Sequence, residues 1–99
     1  MMQLILYSKP GCHLCEGLQE KLTAVQAVPL NLEIRDITQQ PDWFAAYQYE
    51  IPVLYWLSPQ GVVALPRLSP RSSIAQVEKM LQAHWVQTLQ TQAQPNQAE

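Results

Sequence analysis

The chain is short of cysteine and histidine, has no long apolar run and carries no excess of basic charge. Each shortage excludes something. Its 99 residues include two cysteines and two histidines. A structural zinc site takes about four ligands, typically from two such pairs, and beyond Cys12 and Cys15 only His13 and His84 remain. No metal site is expected. Glu16 stands where covalent haem attachment after a C-x-x-C pair requires histidine, so that chemistry is excluded. Six Lys and Arg against eight Asp and Glu give a net charge of −2, without the basic footprint that phosphate binding leaves. Nucleic acid is not an expected partner. No apolar run approaches the ~18 residues of a membrane helix. Met1-Met2-Gln3 lacks a basic leader, and Leu4 to Tyr7 is too short for the apolar part of a signal peptide. A cytoplasmic location is the expectation, where thiols are kept reduced and a lone structural disulfide is out of place.

What is present is one small domain's worth of chain. The sequence is 47% hydrophobic and 14% charged, with three tryptophans, enough for a single core and too small for two. We expect that domain to occupy residues 1–90. Residues 91–99 are rich in Gln and hold no large apolar side chain, and they read as a disordered tail.

Both cysteines lie in Lys9-Pro10-Gly11-Cys12-His13-Leu14-Cys15, between a short apolar run and a helical pattern. Gln3 to Tyr7 reads as a buried strand stopped by Ser8, Lys9, Pro10 and Gly11. From about Cys12 to Gln26, Cys15, Leu18, Leu22 and Val25 recur at spacings of three and four, which places them on one helix face. That face must pack on the sheet, so Cys15 is expected to be the more buried thiol and Cys12 the more exposed. The first N–H groups of a helix lack intrahelical partners and carry the positive end of its dipole. A thiolate there is stabilised, and thiols in such motifs have pKa values of roughly 3.5 to 7.5 in place of about 8.5.

Leu30 to Arg35 alternates apolar and polar as a strand does. Strand, helix and strand within about 30 residues form a βαβ unit with parallel strands and a right-handed crossover. Pro41 to Tyr49 reads as a short helix with Pro at its first position and with Trp43, Phe44 and Tyr47 on its inner side. Ile51 to Leu57 is the strongest strand signal. Ser58-Pro59-Gln60-Gly61 has the residues of a type I turn and leads to a returning strand, Val62 to Leu65. The last helix begins at Ser69 or Ser73, the latter with Gln76 at capping-box spacing, and runs to about Leu89. Its apolar stripe is Ile74, Val77, Leu81, Trp85 and Leu89. The order β-α-β-α-β-β-α, a four-stranded mixed sheet with helices on both faces, is an α/β arrangement of the thioredoxin-like type.

The cysteine motif after a first strand, with Ile51-Pro52-Val53 opening the third, resembles the glutaredoxins. Asp36-Ile37, Pro41-Asp42 and the stretch from Tyr47 to Leu54 are similar to the small glutaredoxin-like proteins in particular, and the likeness spans roughly residues 3 to 88. It implies that Cys12 is the attacking thiolate and Cys15 the resolving thiol, in a thiol–disulfide oxidoreductase acting on protein or glutathione mixed disulfides. It implies that Lys9 helps hold the thiolate and a glutathione carboxylate. It also implies that Ile51-Pro52 is a cis-proline turn facing the cysteines, with Ile51 backbone groups pairing to a bound peptide.

Two features depart from the wider pattern. Thioredoxins carry Trp before the first cysteine, where this chain has Gly11. Typical glutaredoxins cradle the glutathione carboxylate with a Gly-Gly pair after the fourth strand. Here Leu65-Pro66-Arg67-Leu68-Ser69-Pro70 has no glycine, and a Cβ obstructs close backbone approach. Arg67, Arg71 and the N–H groups near Ser72 and Ser73 are the alternative carboxylate binders. His13, between the cysteines, would stabilise the Cys12 thiolate when protonated and make the disulfide more oxidising. No resident cofactor is expected. Glutathione enters as a co-substrate, the partner is a disulfide-bearing protein or glutathione, and the protein is expected to act as a monomer. The other functional classes open to these residues are a metal or iron–sulfur module, with Cys12 holding a cluster across a dimer, and a redox sensor without turnover.

Overall fold

A computed structural model describes residues 1–97, with side chains through residue 86. Four strands and three helices alternate in the expected order: β1 (Met2–Ser8), α1 (His13–Ala24), β2 (Leu30–Asp36), α2 (Pro41–Tyr47), β3 (Val53–Ser58), β4 (Gly61–Ala64) and α3 (Ile74–Gln97). A single 3-10 turn, Ile37–Gln39, precedes α2. The sheet order is β2-β1-β3-β4. β1 runs parallel to β2, pairing Leu4 with Leu32 and Tyr7 with Arg35. β1 and β3 are antiparallel, as are β3 and β4.

Side chains of a strand alternate between faces, and β1 feeds a separate core on each. Met2, Leu4 and Leu6 point to one face, where Leu22 of α1, Leu54 and Trp56 of β3, and Val77 and Leu81 of α3 enclose them. Ile5 and Tyr7 point to the other, with Ile37 and the half-buried Trp43, Tyr47 and Tyr55. Each full burial of a Leu-sized side chain contributes about 1.5–3 kcal/mol, so the aliphatic side holds most of the stabilising area.

Local chemistry explains the helix ends. Ser73 caps α3: its Oγ accepts from the Gln76 N–H at 3.1 Å, and the Gln76 side chain accepts from the Ser73 N–H at 2.8 Å. This reciprocal bond is the capping box, and it sets the start of α3 at Ile74, not near Ser69. Three expectations change in the structure. Phe44 is 39% exposed, because Trp43 and Tyr47 share a face four residues apart and Phe44 lies a further ~100° around the helix from Trp43. Ile74 is 43% exposed, so burial along α3 starts a turn later, at Val77. The α3 backbone also runs on to Gln97, past Leu89, since extending a formed helix costs far less than starting one. The Leu89 side chain and residues 98–99 of the expected tail lie outside the described residues.

Candidate active site

Cys12 and Cys15 are joined in a disulfide, with their Cα atoms 5.3 Å apart. Lys9-Pro10-Gly11-Cys12 forms the turn that delivers them: the Cys12 N–H donates to the Lys9 carbonyl at 3.2 Å and Gly11 takes φ +81°. Proline then glycine at the two central positions, the second with positive φ, is type II turn chemistry. This Pro-Gly signal explains why glycine stands where thioredoxins have Trp.

Cys12 is the N-cap of α1. Its extended backbone lets the Glu16 N–H donate to its carbonyl at 3.0 Å, while its Sγ accepts from the Cys15 N–H at 3.3 Å. The sulfur occupies the place that a serine or aspartate oxygen takes in an ordinary cap. Cys15, one turn on, is 2% exposed, and Cys12 is half-buried. The expected asymmetry between the two thiols is present.

The remaining expected site residues fall into two groups. On one side of the motif, a polar recess is lined by Lys9, Cys15, Glu16 and Asp36. The Thr38 hydroxyl and N–H hold the Asp36 carboxyl below its usual range. On the other side, Pro52 and Arg67 share a cavity with His13 and Leu14. Lys9 and Arg67 thus do not share a wall. The Ile51–Pro52 bond is cis, and the Ile51 side chain packs into the aromatic core. The Ile51 N–H, expected to pair with a bound peptide, instead donates to the Tyr47 carbonyl at 3.0 Å, closing the end of α2.

His13 projects into solvent, 95% exposed, with Nδ1 3.8 Å from the Glu16 carboxylate. The charged group it faces is therefore an anion. Arg67 donates through Nη1 to the Glu50 carbonyl at 2.6 Å and stands 3.7 Å from that residue's carboxylate. The Ser73 N–H is committed to Gln76, and Arg71 is exposed with its N–H on Ser69 Oγ. Of the alternative carboxylate binders, only Arg67 and Ser72 line the cavity.

One participant was not read from the sequence. Lys21 Nζ donates to the Pro70 carbonyl at 2.7 Å, which ties the 65–72 segment to α1. The contact spans 49 residues, and no local pattern announces it. Among the described residues, no group of three or more His, Cys, Asp or Glu is placed to hold a metal ion, and no helix is long and apolar enough to cross a membrane.

Residues 3–82 match the glutaredoxin-like domain family (DUF836). The chain belongs to that family. An X-ray structure of a structural-genomics target protein, XcR50 of X. campestris, is 26% identical with a TM-score of 0.55, over 81% of this chain and 96% of that one. No curated protein matches. In this glutaredoxin-like domain the cysteine pair suits a redox role, since a half-buried N-cap cysteine is bonded to a buried one at the start of a helix.

Proposed function

We propose that the protein is a thiol–disulfide oxidoreductase with Cys12 as nucleophile and Cys15 as resolving thiol. The observation that carries this reading is the unequal disulfide at the N-terminus of α1, with Cys12 half-buried and Cys15 sealed. In the reduced protein the Cys12 thiolate attacks one sulfur of a substrate disulfide. The S–S bond breaks, one substrate thiolate leaves, and a Cys12 mixed disulfide remains. Cys15, as thiolate, then attacks the Cys12 sulfur, releases the second substrate thiolate and forms the Cys12–Cys15 bond. Two electrons have passed to the substrate. Glutathione or a thioredoxin-reductase-type donor returns them.

On this reading the sulfur that reacts first is the one whose negative charge meets the open N–H groups of α1. Lys9 supplies a nearby cation, and Pro52 with Ile51 shapes the surface on which the substrate lies. His13 contributes little, being solvated and facing Glu16. The protein acts as a cytoplasmic monomer without a resident cofactor.

The test is reduction of a small synthetic disulfide by wild type, Cys12→Ser and Cys15→Ser. The expected result is turnover by wild type, none by Cys12→Ser, and a single trapped mixed disulfide on Cys15→Ser. Trapping on Cys15 in the Cys12→Ser protein, with turnover retained, overturns the assignment.

A further inference from the structure

The cavity beside the cysteine motif has a volume of about 250 Å³. It lies between α1 and α3 over β3 and β4, and residues 65–72 form its outer wall. Its apolar walls are Leu14, Leu18, Leu65, Leu68, Val77 and Met80. An enclosed apolar space of about 150 Å³ already accepts benzene, so this one has room for an aromatic side chain. Its charged lining is of one sign. Lys21 and Arg67 contribute, and no Asp or Glu side chain does, in a protein whose net charge is −2.

The outer wall is stiffened by Pro66 and Pro70 and tied at two points, by Lys21 to the Pro70 carbonyl and by Arg67 to the Glu50 carbonyl. Arg67 uses Nη1 for that tie and has the Glu50 carboxylate 3.7 Å from the same nitrogen, while a guanidinium has five N–H donors in all. A carboxylate at the cavity rim can therefore be met without releasing the wall.

We propose that this cavity selects polypeptide disulfides in which the reacting cysteine is flanked by a large apolar side chain and then an acidic one. The apolar side chain enters the cavity and the acidic group meets Arg67. The inference rests on the oxidoreductase reading, because His13 and Leu14, which line the cavity, separate the two cysteines. It names a substrate class distinct from glutathione, whose tripeptide carries no large apolar side chain to fill the space.

The experiment uses reduced wild-type protein and short peptides whose single cysteine carries a thionitrobenzoate mixed disulfide. Attack of Cys12 on the peptide sulfur releases the coloured thiolate. The flanking residues are Phe-Asp, Phe-Lys or Gly-Gly, and a glutathione mixed disulfide is run beside them. Phe-Asp is expected to react about tenfold faster than Gly-Gly at subsaturating peptide, as burial of an aromatic side chain allows. It should exceed Phe-Lys about threefold, with that margin shrinking as salt is added. Leu68→Ser should reduce the first preference and Arg67→Glu should reverse the second.

Equal rates for all three peptides, or a faster rate for the glutathione disulfide, overturn the inference and leave the oxidoreductase reading standing. No release from any of them overturns that reading instead. The cavity is then judged on the Cys12→Ser/Cys15→Ser protein with the Phe-Asp peptide bearing Ser for Cys. Methyl NMR shifts at Leu14, Leu68 and Met80 support the site, and unchanged spectra overturn it.

Discussion

The two faces of the sheet are built from the same strands and solve different problems. On the α1/α3 face, β1 and β3 present Met2, Leu4, Leu6, Leu54 and Trp56, and the packing is mainly aliphatic. The disulfide and the cavity are on this side. On the α2 face the contacts are aromatic and interlocked. Tyr7 stacks on Tyr47 with centroids 4.3 Å apart and meets Trp43 and Tyr55 edge-on. The Arg35 guanidinium lies 5.2 Å from the Trp43 ring centre, and its Nη1 donates to the Tyr7 hydroxyl at 3.0 Å. Aromatic pairs and cation–π contacts have preferred geometries, so this face holds the β3 start and Ile51 in fixed positions. The aliphatic face leaves space beside α1; the aromatic face backs the sheet from the other side.

The sharpest way to break that contrast is truncation on the aliphatic side. Leu22 is 2% exposed beneath α1, and Leu22→Ala should destabilise the protein by about 2–5 kcal/mol through lost transfer energy and the void left behind. Denaturant unfolding measures it. The counterpart on the aromatic side is Tyr7→Phe, which keeps the ring contacts and removes only the hydroxyl that accepts from Arg35. Arg35 keeps its Glu33 bond and some solvent contact, so the loss should be about 1 kcal/mol. Disulfide reduction should be unchanged in Tyr7→Phe. A larger loss from Tyr7→Phe than from Leu22→Ala would place the stabilising core on the wrong face.

The legible parts of this molecule were those encoded by near neighbours. The burial of Cys15 under α1 followed from its spacing with Leu18 and Leu22, and the Ser73–Gln76 box from an interval of three. Phe44 misled because apolar character alone does not say which side of a two-turn helix meets the sheet. The Arg35 cluster was not visible, because alternation in Leu30 to Arg35 marks a polar position without saying what lies next to it. Only the parallel register that sets Arg35 against Tyr7 brings the cation to the rings. The cavity was hidden for the same reason: its walls come from α1, β3, β4, α3 and the 65–72 segment, and its ties, Lys21 to Pro70 and Arg67 to Glu50, join residues far apart in sequence.

The smallest expected effect concerns how α3 is held to the rest of the aliphatic side. Glu78 accepts from the backbone N–H groups of Gln26 and Ala27 at 2.9 and 3.1 Å, linking α3 to the connection between α1 and β2. Those two bonds favour the carboxylate and hold Glu78 below its ordinary value of 4.5. A carboxyl depressed in the folded state contributes stability that is fully present above its unfolded pKa and is lost as pH falls through the folded one. Wild type should therefore exceed Glu78→Gln in stability at neutral pH, and the gap should close as pH drops below about 4.5. Asp36 has the same sign but is shared by both proteins and cancels in the difference. Urea midpoints at neutral and acidic pH measure the gap. A constant gap across that range would mean that Glu78 acts through packing alone, and that the α3 attachment owes nothing to its charge.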